Sequence, residues 1–382
     1  MSTDASTTAP ELLRARLARA ATAAAAAGVD AVIVSPGSDL RYLLGVTGGS
    51  FERLTCLVLP ADGAPTLVVP KLEAPGYAST AIHAFGVDMT TWVDGEDPYR
   101  IVAGLLGRAG PAAPGRVAIS DTTAALHVLG VRDALPGVEQ VLAGPVLREL
   151  RMRKDAAEID ALRSAGAAID RVHARVPEWL RPGRTEEEVA RDIAAAIVAE
   201  GHSRADFVIV GSGPNGASPH HTASNRVIER GDVVVVDIGG PVPEGYFSDS
   251  TRTYAVGQPR DADVAGTYEV LLAAQRAAVA AVRPGVPAWR IDEAAREIIA
   301  DAGFGDRFIH RTGHGIGLDV HEEPYIVDGN ELVLEPGMAF SVEPGIYQPG
   351  RWGARIEDIV VVTEDGGLAL NTRPRELEVL AG

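Results

Sequence analysis

Residues 230–256 read RGDVVVVDIGGPVPEGYFSDSTRTYAV, and this stretch decides the fold. Val233 to Val236 is an unbroken β-branched run that ends at Asp237, as a strand buried on both faces would. A Gly/Pro loop follows, and Phe247 to Val256 returns as a second strand with Asp249 inside it. The two runs read as a hairpin. A loop folded symmetrically about Pro243 sets Asp237 opposite Asp249. A second hairpin of the same kind, Met338 to Glu343 and Ala354 to Val362 around Gly350, sets Glu343 opposite Glu357. Opposed side chains lie roughly 4.5 to 5.5 Å apart at Cβ, where like charges need a neutralising cation. Protons, the nearby Arg252 and Arg355, or metal ions could serve. Asp237 closes so apolar a run that it should be buried, where an unpaired charge is costly, and metal is the better explanation.

Working outward, the two hairpins belong to an approximate internal repeat. Arg181-Pro182-Gly183 precedes a helical run from Thr185 to Glu200, and Arg283-Pro284-Gly285 precedes another from Ala288 to Ala302. Thr185 with Glu188 has the form of a capping box, and Gly201 and Gly303 follow the helix ends. Upstream, a helix from Glu11, a strand at Asp30 to Val34, apolar runs at Thr55 to Leu59 and Thr66 to Val69, Val117 to Ser120 and a helix at Thr122 to Leu135 suggest a small α/β domain. Leu147 to Arg163 reads as one exposed, helical connector. These patterns predict an α/β (α+β) chain of two domains, residues 1–149 and 150–382.

Composition narrows the function. In 382 residues, 35 Lys+Arg against 52 Asp+Glu give a formal charge of −17, which repels phosphate backbones and anionic lipid and argues against nucleic-acid or membrane partners. One cysteine, Cys56, cannot form an internal disulfide or a thiolate zinc site, and reads as a small buried residue. Ala20 to Val29 is too short to span a bilayer, Asp4 and Glu11 spoil a signal-peptide start, and a cytoplasmic protein is expected. Five of nine histidines, His220, His221, His310, His314 and His321, fall beside the acidic hairpins. His314 sits in Gly313-His314-Gly315-Ile316-Gly317, where missing side chains allow close backbone approach. No P-loop lysine accompanies these glycines, so nucleotide binding is discounted.

The segments SPHHTASNRVIERGDVVVVDIGG, GYFSDSTRTYAV, RTGHGIGLDVHEEP, GMAFSVEPGIY and ARIEDIVVVT together resemble the pita-bread metallopeptidases: Xaa-Pro dipeptidase (prolidase), Xaa-Pro aminopeptidase and methionine aminopeptidase, with creatinase as a relative. The first half, with Asp39-Leu40-Arg41-Tyr42-Leu43 after a strand, resembles the creatinase/prolidase N-terminal domain and favours the proline-specific branch. The resemblance implies a pita-bread catalytic domain with an internal pseudo-twofold. It implies that Asp237, Asp249, His314, Glu343 and Glu357 hold two divalent ions. So oxygen-rich a set suits Mn²⁺, with Co²⁺ or Fe²⁺ as replacements. It further implies catalytic roles for His220, with His221 as the neighbouring alternative, for His321 and for Glu343, and a homodimer. The spacing of Asp237 and Asp249, twelve residues, is one longer than the family pattern, so the extra residue sits in the loop Gly239 to Gly245 or forms a bulge.

The expected reaction is metal-assisted hydrolysis of an X-Pro bond in a small peptide. A dipeptidase needs a cation for the substrate carboxylate, and Arg355 and Arg351 are the candidates. The alternatives are an Xaa-Pro aminopeptidase acting on longer peptides, a creatinase-like enzyme acting on a C–N bond of a small molecule, and a non-enzymatic binding protein on the same scaffold. The last two would be expected to lose metal ligands, and none is lost.

Overall fold

The computed structural model describes residues 10–46, 48, 52–78, 80, 82–107 and 115–381. The chain divides into two compact units, Met1–Arg151 and Met152–Gly382.

In the first unit α1 (Pro10–Ala26), β1 (Ala31–Val34), α2 (Ser38–Leu44), β2 (Cys56–Pro60), β3 (Thr66–Pro70), α3 (Ala74–Ala78), β4 (Asp88–Trp92), α4 (Pro98–Leu106), β5 (Arg116–Ile119), α5 (Ala125–Ala134) and β6 (Glu139–Leu142) follow one another, and α6 (Gly144–Met152) runs to the boundary. The six strands form one sheet in the order β4-β3-β2-β1-β5-β6. Its centre is the apolar β1, β2 and β3, every residue buried, and its edges are the polar β4 and β6. Polar edges blunt unwanted strand pairing. Cys56 lies in β2 and is fully buried, and burial pushes its thiol up to about 12.

The expected connector helix is broken. Asp155 caps α7 (Ala156–Trp179) in a reciprocal box with Glu158, so α6 ends at Met152 and a new helix begins four residues on. Leu147, Met152, Lys154, Glu158 and Leu162 are buried, which corrects the exposed reading. The charges that suggested exposure are paired: Lys154 Nζ lies 2.7 Å from Glu322 Oε1.

The second unit continues with α8 (Glu186–Ala199), β7 (Phe207–Ser212), β8 (Val233–Pro241) and β9 (Phe247–Val256). Then come α9 (Val264–Ala281), α10 (Trp289–Asp301), β10 (Gly313–Gly315), β11 (Glu322–Ile326) and β12 (Ala339–Val342). Strands β13 (Gly345–Gln348), β14 (Trp352–Arg355), β15 (Asp358–Thr363), β16 (Gly366–Ala369) and β17 (Glu378–Leu380) complete it. Two sheets dominate, β17-β9-β8-β7, antiparallel except for the parallel β17–β9 pair, and the antiparallel β11-β10-β12-β15-β16, each with its own helix pair and its own core. The first core joins Ile169, Val172, Ile193 and Ile197 to Val234, Val236 and Tyr254. The second joins Leu271, Ile291 and Ile299 to Phe340, Val342 and Val360.

The repeat is visible bond by bond. Gly183 N–H donates to Ile228 O at 2.9 Å, and Gly285 N–H donates to Leu334 O at 2.9 Å. Gly231 N–H donates to Val256 O, and 106 residues later Gly337 N–H donates to Val362 O. Val233 pairs with Ala255 as Ala339 pairs with Val361.

The first hairpin departs from its expected register. Asp237 lies opposite Thr251, and Asp249 lies opposite Gly239. The turn explains it: Gly245 N–H donates to Val242 O, with Pro243 as the second residue of the turn rather than its middle, and Gly245 at φ 93°. The displacement is two residues, and strand side chains alternate with period two, so both aspartates keep a common face. Pairing runs without interruption from Val233↔Ala255 to Pro241↔Phe247, so the hairpin carries no bulge. The second hairpin has the expected register, Val342 opposite Asp358 and Gly345 opposite Arg355, with Glu343 and Glu357 where the pairing passes from β12–β15 to β13–β14.

Candidate metal centre

Alternation along β8 and β9 builds the site. Even-numbered Val234, Val236, Ile238 and Tyr254 enter the helix-side core, which turns odd-numbered Asp237, Asp249, Thr251 and Thr253 to the other face. Glu357 comes alongside, its N–H donating to Thr251 O at 3.1 Å. His314 arrives on β10, which fits because Gly313 has no Cβ: one placed there would lie 1.8 Å from Ser341 O. All five expected ligands thus converge, and four of them, Asp237, Asp249, His314 and Glu357, are at most 7 % exposed.

Their atoms form overlapping triads. Asp237, Asp249 and Glu357 each bring an oxygen within 4.8 Å of the others', and His314, Glu343 and Glu357 do the same. The two triads use all five residues and share Glu357. His314 Nδ1 lies 3.1 Å from Gly315 O, which turns Nε2 toward Glu343 Oε1 at 3.2 Å and Asp249 Oδ2 at 3.6 Å. Glu343 Oε1 accepts from Ser341 Oγ and Glu357 Oε2 accepts from Thr251 Oγ1, contacts that orient a ligand from behind.

Three buried carboxylates and the partly buried Glu343 gather near the buried guanidinium of Arg355. Burial first, and then the charges of Glu357, Asp237 and Glu343, raise Asp249 well above the usual carboxylate range. Burial, Glu343 and Asp237 do the same to Glu357. Asp237 is raised by burial against the opposing pull of Arg355. Glu343 goes the other way: burial opposes its charge, but the hydrogen bond and charge of His314 outweigh it and hold it at about 2. Asp237 Oδ1 is buried with no hydrogen-bond partner among the described residues. An orphaned oxygen within an under-neutralised, oxygen-rich set is what a pair of divalent cations fits.

Arg355 does not stand free for a substrate carboxylate. Its Nη2 donates to Asp237 Oδ2 at 2.6 Å, Nε to Thr251 Oγ1 at 3.0 Å, and Nη1 to Tyr347 Oη at 2.9 Å and Pro219 O at 3.3 Å. The cluster needs a counter-charge in its middle, and Arg355 is that charge. Arg351 is also engaged, paired with Asp261 and Asp263.

The two neighbouring histidines diverge. His221 Nε2 lies 2.8 Å from the buried Glu186, whereas His220 is exposed. His321 is exposed, but its ring lies 3.9 Å from that of His314, and partial desolvation, then the charges of His314 and Arg311, bring it down to about 4. Its nitrogen also falls within 4.8 Å of ligand atoms of Asp249 and His314. Sequence reasoning gave no role to Thr251, Ser341, Tyr347 or His310. The alternation Asp249-x-Thr251-x-Thr253 was a signal for the first, whereas the contact of His310 Nε2 with Tyr347 Oη at 2.9 Å is purely tertiary.

Comparison with known proteins places this geometry. Residues 160–364 match metallopeptidase family M24, and residues 16–153 match the creatinase/prolidase N-terminal domain. The probable dipeptidase PepE of Mycobacterium tuberculosis is 60% identical over 97% of this chain and 97% of its own. The Xaa-Pro dipeptidase of Lactobacillus delbrueckii subsp. lactis is 36% identical over 92% of this chain and 95% of its own. Among solved structures, dipeptidase PepE from Mycobacterium ulcerans superposes with a TM-score of 0.93 at 60% identity, covering 98% of this chain and 100% of that one. A recombinant prolidase from Thermococcus sibiricus gives 0.89 at 40% identity, covering 96% and 98%. With its pita-bread fold, its creatinase-like N-terminal domain and its acid-and-imidazole cluster, the chain belongs to metallopeptidase family M24.

Proposed function

We propose that the protein is an Xaa-Pro dipeptidase that uses two divalent ions, Mn²⁺ foremost, held by Asp237, Asp249, His314, Glu343 and Glu357. The observation that carries this reading is the pair of triads sharing Glu357. The names of the relatives support it, since they include dipeptidases and Xaa-Pro dipeptidases across most of the chain. When bound, such ions supply Lewis acidity and a hydroxide-like nucleophile at neutral pH.

The chain's own groups do the rest. Glu343, ionised and aligned by Ser341 and His314, accepts the proton of the attacking water and delivers it to the leaving nitrogen. His321, which partial desolvation and its crowded cationic surroundings keep neutral above about 4, and His220 donate to the carbonyl oxygen as it gains charge. The proline nitrogen of an X-Pro bond has no N–H, so a site that offers it no acceptor discriminates against ordinary peptides. We place the enzyme in the cytoplasm as a homodimer; no helix among the described residues is long and apolar enough to cross a membrane.

Metal analysis together with release of the amino-terminal residue from X-Pro dipeptides and X-Pro-initiated tripeptides tests the reading. Two ions per chain and Mn²⁺-dependent proline release from dipeptides alone are expected. Cleavage of tripeptides at a similar rate would make it an aminopeptidase, and turnover without metal would remove the reading altogether. Light scattering at the mass of one chain would remove the dimer.

A further inference from the structure

The side chain of Glu186, in the first turn of α8, is fully buried and outside the metal cluster, yet it collects donors from a whole loop. Its Oε1 accepts from Ser212 N–H at 2.8 Å, Ser212 Oγ at 2.7 Å and Asn215 Nδ2 at 3.0 Å. Its Oε2 accepts from Ser224 N–H at 3.1 Å, Ser224 Oγ at 2.7 Å and His221 Nε2 at 2.8 Å. Burial opposes the charge, but the hydrogen bonds of Ser224, Ser212 and His221 hold the acid at about 2. A carboxylate only accepts, so His221 Nε2 must carry its proton.

These donors bracket the segment that carries His220. Ser212 ends β7 and Ser224 closes the loop. Between them His221 N–H donates to Ser218 O at 3.2 Å, making a turn with Pro219 and His220 at its centre. The fourth residue of that turn is tied to Glu186 through its imidazole. The second is tied through its carbonyl to Arg355 Nη1 at 3.3 Å, and Arg355 holds Asp237. His220 stands between these two anchors.

We infer that Glu186 is a positioning residue, which fixes the turn Ser218–His221 so that His220 faces the acidic cluster. The inference rests on the role given to His220 above. It requires that Glu186 act on turnover only through His220, and a double-mutant cycle measures that. Removing the imidazole in His220→Ala should lower kcat about 100-fold. Glu186→Gln puts an amide donor where three donors already converge, and the misplaced turn should lower kcat at least about tenfold, with KM and bound metal nearly unchanged. The double variant should be no slower than His220→Ala alone. Additive losses, or loss of bound metal in Glu186→Gln, would overturn the proposal while leaving the peptidase reading intact. Full turnover by His220→Ala would overturn both the proposal and the role of His220. If Glu186→Gln fails to fold, His221→Ala removes one anchor and leaves the other donors in place. It should show a smaller fall in kcat that likewise vanishes in the His220→Ala background, and an unchanged kcat would count against the proposal.

Discussion

Asp249→Ala deletes a carboxylate that burial and three acidic neighbours push toward its neutral form. Without metal the variant should therefore be as stable as the parent, or more so. A ligand present at a hundred times its Kd stabilises a fold by about 2.7 kcal/mol, and that gain should be absent from the variant. Thermal melts with and without Mn²⁺ check both points, and activity should be lost; a normal Mn²⁺ response would unseat Asp249 as a ligand. His321→Ala separates two roles that the geometry leaves adjacent. With a catalytic role, kcat falls about 100-fold and metal content is kept. Loss of metal would instead make Asp249, His314 and His321 a ligand set. At this scale the sequence was informative about which side chains carry charge into apolar strands, as with Asp237. It offered Arg355 both as a neutralising cation and as a carboxylate binder but could not choose, because its contacts with Pro219 and Asp237 span 136 and 118 positions and depend on the finished fold.

At the scale of elements, local signals and turn chemistry fared differently. Thr185 accepts from Glu188 N–H while Glu188 Oε2 accepts from Thr185 N–H, the reciprocal cap that the Thr-x-x-Glu spacing announces. Thr185→Ala should cost about 1 kcal/mol in a denaturant titration, with little effect on kcat. The hairpin register was legible only in part. Parity along β8 and β9 held because the expected and observed loops both centre on a residue, but which residue was not legible, because proline's rigidity suggests a midpoint whereas it prefers the second position of a turn. Gly350, carried back by the 106-residue repeat, falls on Glu244, which is where the first loop is centred. The contact of α7 with β9 carries a pH dependence. His173 is buried between Tyr254 Oη and Ser250 O, and burial lowers it to about 3. The unfolded chain, with an ordinary histidine near 6.5, binds this proton first, so stability is unaffected above about pH 6.5 and falls as pH drops toward 3. His173→Gln should be less stable at pH 7 and should show a shallower loss on acidification, measured by urea midpoints.

For the whole molecule, stripping divalent ions should lower the melting temperature and speed amide exchange in residues 233–256 and 339–362. The sheet of residues 31–142 should exchange as before, since its core of Ile33, Val58, Val68 and Val117 includes none of the proposed ligands. Exchange rising uniformly over the chain would contradict this.

The two halves of the second unit share a backbone plan but not its chemistry. Asp237 and Glu343 occupy matching places, whereas Thr251 is matched by Glu357 and Asp249 by Arg355. Were the side chains as alike as the strands, the acidic cluster would read the same from either side, and a short peptide could approach it amine-first or carboxylate-first with equal ease. Exchanging an acid for a guanidinium across an otherwise even-handed frame gives the cluster a head and a tail.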